Sequence, residues 1–244
     1  AIYEETGDRS GVSVCLWSLG SLARVDGDYD TARQKYSEAL AIAREIGAPA
    51  GIGSNLEDLA MVARLQGQYG EARGFLDEVL KMAGEVGDHH EVANALLNLG
   101  GVARVQGKYD EARSYLEDSI VMNMEHGNRR ALARAILFLG DVALAQKDYA
   151  SARRSYQDSL AIYREFEHRL GISLTLGGLG DVAVAVGDIE GARQYFHEAY
   201  TMAQVIRDTP LQLWILTGIA GLLAREKEEE RAAELLGMVL NHYA

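Results

Sequence analysis

The stretch Leu99-Gly100-Gly101-Val102-Ala103-Arg104-Val105-Gln106-Gly107-Lys108-Tyr109-Asp110-Glu111-Ala112-Arg113 decides the fold, because it has a partner forty residues upstream. There the chain reads Leu59-Ala60-Met61-Val62-Ala63-Arg64-Leu65-Gln66-Gly67-Gln68-Tyr69-Gly70-Glu71-Ala72-Arg73. The same period places alanine at Ala32, Ala72, Ala112, Ala152, Ala192 and Ala232, and tyrosine at Tyr29, Tyr69, Tyr109 and Tyr149. Leu19, Leu59, Leu99, Leu139 and Leu179 form a further row, closed by Ile219. Self-similarity at this period marks a solenoid, in which each unit is too small to bury its own apolar face and stacks on its neighbours.

Within residues 91–130, Leu96, Leu99, Val102 and Ala103 lie on one face of a first helix. Gly107-Lys108 breaks the pattern, and the equivalent turns are Gly27-Asp28, Gly67-Gln68, Lys147-Asp148 and Gly187-Asp188. Glycine suits the left-handed conformation that ends a helix. A second helix runs from Tyr109 to His126, and Gly127-Asn128 closes it. Small residues at Gly20, Ala60, Gly100, Gly140, Gly180 and Ala220 let the two helices approach. The row Tyr36, Leu76, Leu116, Tyr156, Phe196 and Leu236 is expected to fill the space between units.

The units thus share a pattern of Leu-Gly, a small residue, Gly-x-Tyr-x-x-Ala, an aromatic or leucine, and a further small residue, with single replacements such as Ala60 and Lys147; in the first these are Leu19-Gly20, Ala23, Gly27, Tyr29, Ala32, Tyr36 and Ala39. This pattern resembles the tetratricopeptide repeat, in a forty-residue variant. The resemblance implies an all-α, right-handed superhelical solenoid of stacked antiparallel helix pairs. The boundaries read as 1–10 for the end of a preceding second helix, then repeats at 11–50, 51–90, 91–130, 131–170 and 171–210, and a truncated repeat at 211–244, all in one solenoid domain. The chain is expected to be a fragment of a longer protein. Its style, and the closing Glu230-Arg231-Ala232-Ala233-Glu234-Leu235-Leu236-Gly237, resemble the arrays of large bacterial signalling ATPases and transcriptional regulators.

A net charge of −12 argues against non-specific nucleic-acid binding and against docking on anionic lipid. The single cysteine, Cys15, cannot close an internal disulfide and reads as a small half-buried hydrophobe in a first helix. With neither a signal peptide nor an apolar run expected to span a bilayer, a cytoplasmic location is the expectation. Gly177-Gly178-Leu179-Gly180 falls on repeat positions of a first helix, not on the strand-to-helix turn of a phosphate loop. His89-His90-Glu91 lacks the converging groups a metal needs. The reading is therefore a non-enzymatic chain with no cofactor and no metal.

Charge divides the helices. Second helices carry Glu38, Glu78, Asp118, Asp158 and Glu198, then Glu45, Glu85, Glu125 and Glu165, as an outer, solvated acidic face. In the family that this chain resembles, first helices line a concave groove that takes ligands. The groove positions here are Trp17, Ser21 and Arg24, then Glu57, Met61 and Arg64, then Leu97 and Arg104, then Leu137, Asp141 and Asp181, with Asp58 and Asn98 beside the strip. The groove is expected to be basic towards the N-terminus and acidic towards the C-terminus. An acidic peptide or a partner helix is the expected ligand, since arginine holds carboxylates in bidentate pairs. A scaffold that self-associates through its repeat ends is the alternative.

Overall fold

The computed structural model describes residues 8–243, with side chains through Leu240; residues 1–7 of the helix stub expected at 1–10, and the chain end at Ala244, lie outside the described residues. Among the described residues there are twelve α-helices and no strand. The chain divides into two compact units, residues 1–122 and 123–244. The first holds α1 (Arg9–Val25), α2 (Tyr29–Glu45), α3 (Pro49–Leu65), α4 (Tyr69–Val86) and α5 (His89–Val105), and most of α6 (Tyr109–Glu125). The second holds α7 (Arg129–Ala145), α8 (Tyr149–Glu165), α9 (Arg169–Val186), α10 (Ile189–Val205), α11 (Thr209–Arg225) and α12 (Glu229–Tyr243).

The short turns between helices follow from two residue types. In Asp26-Gly27-Asp28, Gly27 takes φ +80°, and the Asp28 N–H reaches back to the Ala23 carbonyl at 2.9 Å. Asp28 Oδ1 then accepts from the Thr31 N–H at 3.0 Å and starts α2. One residue ends a helix and the next caps the following one. Every such turn in the first unit has glycine at the left-handed position: Gly27, Gly47, Gly67, Gly87 and Gly107. In the second unit Gly127 and Gly187 keep the pattern, whereas Lys147, Glu167, Arg207 and Lys227 adopt positive φ without a glycine's freedom.

Within each unit consecutive helices pack against each other, and first helices also meet the next first helix: α3 meets α5 in one unit, and α7 meets α9 and α9 meets α11 in the other. Tyr36, Leu76, Leu116, Tyr156 and Phe196 are buried as expected, while Leu236 is 39% exposed. The rings lie against glycine. A Cβ on Gly140 would stand 2.8 Å from the Tyr156 ring, and one on Gly178, from the next pair, 2.6 Å from the same ring. Phe196 is held likewise between Gly180 and Gly218. A hydroxyl fixes most pairs a second time, across twenty-six residues: Ser13 Oγ donates to the Ala39 carbonyl at 3.1 Å, and Ser119 to Ala93, Ser159 to Ala133 and Ser173 to Ala199 at 2.8 Å each.

Three expectations need correction. Cys15 is exposed, as are Leu19 and Leu22 on the same helix, because among the described residues no earlier helix packs on α1. Helix α9 is apolar and long enough, at 18 residues, to cross a bilayer, so the expectation of no such run fails; 61% of it is buried, and its apolar character serves the core. The outer acids are not simply solvated. Arg44 pairs with Glu78 at 2.5 Å and Arg164 with Glu198 at 2.8 Å, each joining successive second helices. Arg73 pairs with Glu111 at 2.6 Å, and Arg33 with Glu71, between the same kind of helices. Exposed pairs of this sort contribute about 0–1 kcal/mol each.

Candidate interaction site on the first helices

In the first unit, α1, α3 and α5 are tied by polar side chains at the positions expected to face a ligand. The Trp17 indole N–H donates to Asp58 Oδ2 at 2.6 Å, joining α1 to α3. Asn98 Nδ2 donates to Glu57 Oε1 at 3.1 Å, joining α3 to α5. Burial pushes the Asp58 carboxyl above its ordinary range, and the Trp17 hydrogen bond and the charge of Arg24 pull against that. Arg24, Arg64 and Arg104 are half-buried at the same position of the three helices, one per pair. Arg64 Nη2 contacts Met61 Sδ at 2.9 Å. Trp17 keeps 39% of its surface exposed, so its ring offers an apolar face while its N–H is engaged.

Leu97 and Leu137 were expected in the groove, and both are core residues, at 0% and 5% exposure. They stand at the repeat position of Trp17, Glu57 and Gly177, and those residues meet the next first helix, at Asp58, Asn98 and Trp214. Sequence reasoning also missed two tyrosine hydroxyls. Tyr36 OH lies 3.1 Å from Ser21 Oγ, and Tyr156 OH donates to Asp141 Oδ1 at 2.9 Å. The readable signal is a tyrosine fifteen residues after a polar position on the first helix.

In the second unit the strip carries Asp141 on α7 and Asp181 on α9. Burial, then the neighbouring charge of Asp141, pushes Asp181 up to about 7. The contrast with Asp141 is chemical. Asp141 has the Tyr156 hydroxyl fifteen residues on, whereas the residue fifteen after Asp181 is Phe196, which has none. Among the described residues no hydrogen-bond donor reaches the Asp181 carboxylate. Nor do three of His, Cys, Asp and Glu converge there as a metal would require.

This chain resembles several solved structures in fold. BtubC (BKLC) from P. vanneervenii is 22% identical with a TM-score of 0.67, covering 84% of this chain and 85% of that one. The Rap conjugation gene regulator of the plasmid pLS20, in complex with the Phr peptide, is 14% identical with a TM-score of 0.80, covering 93% and 62%. A signal transduction ATPase with numerous domains and a tetratricopeptide repeat sensor, from Pyrococcus horikoshii, is 16% identical with a TM-score of 0.67, covering 97% of this chain and 37% of that one. At these identities the likeness is one of fold. No curated protein sequence matches. The tetratricopeptide repeat model matches residues 12–85, 51–125 and 91–165, well over half of the chain. With the helix pairs, their turns and this match together, the chain belongs to the tetratricopeptide repeat family.

Proposed function

We propose that this chain is a protein-interaction module that binds an acidic peptide or partner helix along the first helices, as the sensor arm of a larger cytoplasmic bacterial regulator and without catalysis of its own. The observation that carries the reading is the repeated position of Arg24, Arg64 and Arg104 on α1, α3 and α5, helices already tied side by side by Trp17–Asp58 and Asn98–Glu57. Neighbouring packed helices stand about 10 Å apart, a span that an extended acidic segment bridges. Trp17 and Met61 add apolar contact within the same unit. The Rap regulator with its peptide and the ATPase with its repeat sensor share this fold, which makes peptide sensing the favoured use.

The test is a pull-down with the chain, identification of partners by mass spectrometry, and affinity measurement with the recovered partner. Each arginine removed costs about 1–3 kcal/mol of binding, as for a charge-assisted hydrogen bond, and added salt weakens the complex. A triple variant Arg24→Ala/Arg64→Ala/Arg104→Ala that keeps full affinity overturns the reading. Self-association is the second reading, favoured by the exposed apolar side chains of Leu19 and Leu22 on α1 and of Met238 and Leu240 on α12. A sharp monomer at high concentration in analytical ultracentrifugation excludes it.

A further inference from the structure

The α3–α4 pair differs from the α1–α2 and α7–α8 pairs at a place away from the first-helix strip. Arg9 opens α1 and pairs with Glu45 at the end of α2. Arg129 opens α7 and pairs with Glu165 at the end of α8, Nη2 to Oε1 at 2.6 Å. Both arginines therefore close the same end of their helix pair. Forty residues after Arg9, the residue that opens α3 is Pro49, and the acid that closes α4, Glu85, has no arginine to meet. Among the described residues no cation forms an ion pair with Glu85. Lys81 stands one turn earlier on the same helix and does not pair with it either.

What is left at that place is an open cleft of 590 Å³. Its rim carries three carboxylates: Glu85, Asp88 and Glu91. The equivalents of the last two are Ala48 and Gly51 beside Arg9, and His168 and Gly171 beside Arg129. The cleft thus gains two carboxylates and loses the arginine. Its floor is also altered. Gly53 and Val79 occupy the two positions where Ser13–Ala39, Ala93–Ser119, Ala133–Ser159 and Ser173–Ala199 place a bridging hydroxyl. A Cβ at Gly53 would lie 2.6 Å from Glu91 Oε1, so the glycine makes room for that carboxylate. Burial, and then the charge of Asp88, holds the Glu91 carboxyl above its usual range, which marks a place short of positive charge.

We propose that this cleft is a receptor slot for an arginine side chain presented by a partner protein. The protein itself supplies the template, since in two other helix pairs the same carboxylate position is met by a guanidinium. In the slot the guanidinium reaches Glu85 as Arg9 and Arg129 reach Glu45 and Glu165, and its remaining N–H groups serve Asp88 and Glu91. The planar fork suits several carboxylates at once, where an ammonium acts as a point charge. The aliphatic stem lies along Met82, Val86 and Pro49. The slot is built from the start of α3, the end of α4 and the start of α5, and it stands or falls independently of the groove.

The test titrates the isotope-labelled chain with N-acetyl-arginine methylamide and follows the backbone amide signals of Gly53, Glu85, Asp88 and Glu91 by NMR. The expected result is a saturable shift confined to those signals. It is absent with the norleucine analogue and at least about threefold weaker with the lysine analogue, which has no fork. Pro49→Arg gives the slot its own arginine and abolishes the titration, and arginine already opens α1 and α7, so the helix start tolerates it. Glu85→Gln weakens binding at least about fivefold, the loss of one charge-assisted pair, and keeps the test decisive if Pro49→Arg does not fold. No saturable shift, equal response to lysine, or an unchanged affinity in folded Pro49→Arg overturns the proposal. So does a shift of the same signals with protein concentration alone that Glu85→Gln removes, because the occupant is then a second copy of this chain.

Discussion

The two halves of this protein use one repeat to opposite ends. In residues 8–122 the turns are all glycine, helix α4 carries glycines that touch nothing, and the strip on the first helices is polar and cross-linked. Residues 123–243 place many more glycines inside the helices under aromatic rings, Gly140 and Gly178 on Tyr156, Gly171 on Tyr163, Gly177 on Trp214, and Gly180 and Gly218 on Phe196, where residues 8–122 have Gly20 on Tyr36. Four of that half's turns lack glycine. The difference teaches that a glycine's value depends on its surroundings. It is conformational freedom in the first half's turns, van der Waals clearance in the second half's helices, and a plain entropic loss in α4.

The largest effect that breaks the comparison comes from one methyl group. Gly178→Ala drives a Cβ to 2.6 Å from a ring that is 1% exposed, and the expected loss is about 3 kcal/mol, the upper end for overpacking. Gly74→Ala in α4, where nothing lies within 4 Å, instead gains about 0.5–1 kcal/mol. Chemical denaturation of both variants reads the pair; equal signs would remove the distinction between the halves.

The second effect is a pH dependence centred on Asp181 in residues 123–243. Folding raises Asp181 from an ordinary 3.8 to about 7, so the folded state keeps a proton that the unfolded chain releases. The contribution is intact below pH 4 and is lost as pH rises towards 7, because stability falls wherever the folded state binds more protons. Asp181→Asn removes that dependence. At pH 8 the variant is expected to be more stable than the parent by about 2 kcal/mol, roughly half of the full linkage once relaxation around the charge is allowed for. Unfolding free energies of both proteins at pH 4.5 and pH 8 give the measurement, and parallel pH profiles would count against the assignment.

A smaller change copies Asp141's environment onto Asp181. Phe196→Tyr supplies the hydroxyl that Tyr156 gives to Asp141, lowers the Asp181 pKa, and stabilises the protein by about 1 kcal/mol at pH 8, the worth of a typical hydrogen bond. NMR titration of the Asp181 carboxyl carbon follows the shift directly; an unmoved titration midpoint refutes it. The smallest change restores the first half's turn chemistry. Lys147 has φ +62°, and Lys147→Gly is expected to gain about 0.5–1 kcal/mol, net of the entropy that glycine loses. A lower thermal midpoint would argue that the lysine side chain holds the turn.

These contrasts also sort what was legible in the sequence. The helix pairs, their turns and the buried row from Tyr36 to Phe196 follow from periodicity, because each repeat states its packing again and every neighbour is forty residues away. The groove positions were harder. Leu97 and Leu137 stand at the same repeat position as Trp17 and Glu57, so register alone does not separate core from surface there. The hydroxyl of Tyr156 lies in a row that reads as purely apolar, so its bond to Asp141 escaped notice. The arginine–acid pairs between second helices were missed since the acids alone were aligned, while their partners lie thirty-four to thirty-eight residues away in slightly different registers.

The twenty-six-residue hydroxyl bond sets a rule for recombination. In α1 and α9 the serine sits on the first helix and donates to the second; in the pairs that hold Ser119 and Ser159 it sits on the second and donates to the first. Each arrangement works only as a matched set. Splicing α5 onto α2 would set Ala93 against Ala39 and leave no hydroxyl, whereas joining α1 to α8 would set Ser13 against Ser159 and crowd two into one gap. The interchangeable module of this array is therefore the whole helix pair, and crossovers that fall in the turns between pairs preserve what crossovers inside a pair destroy.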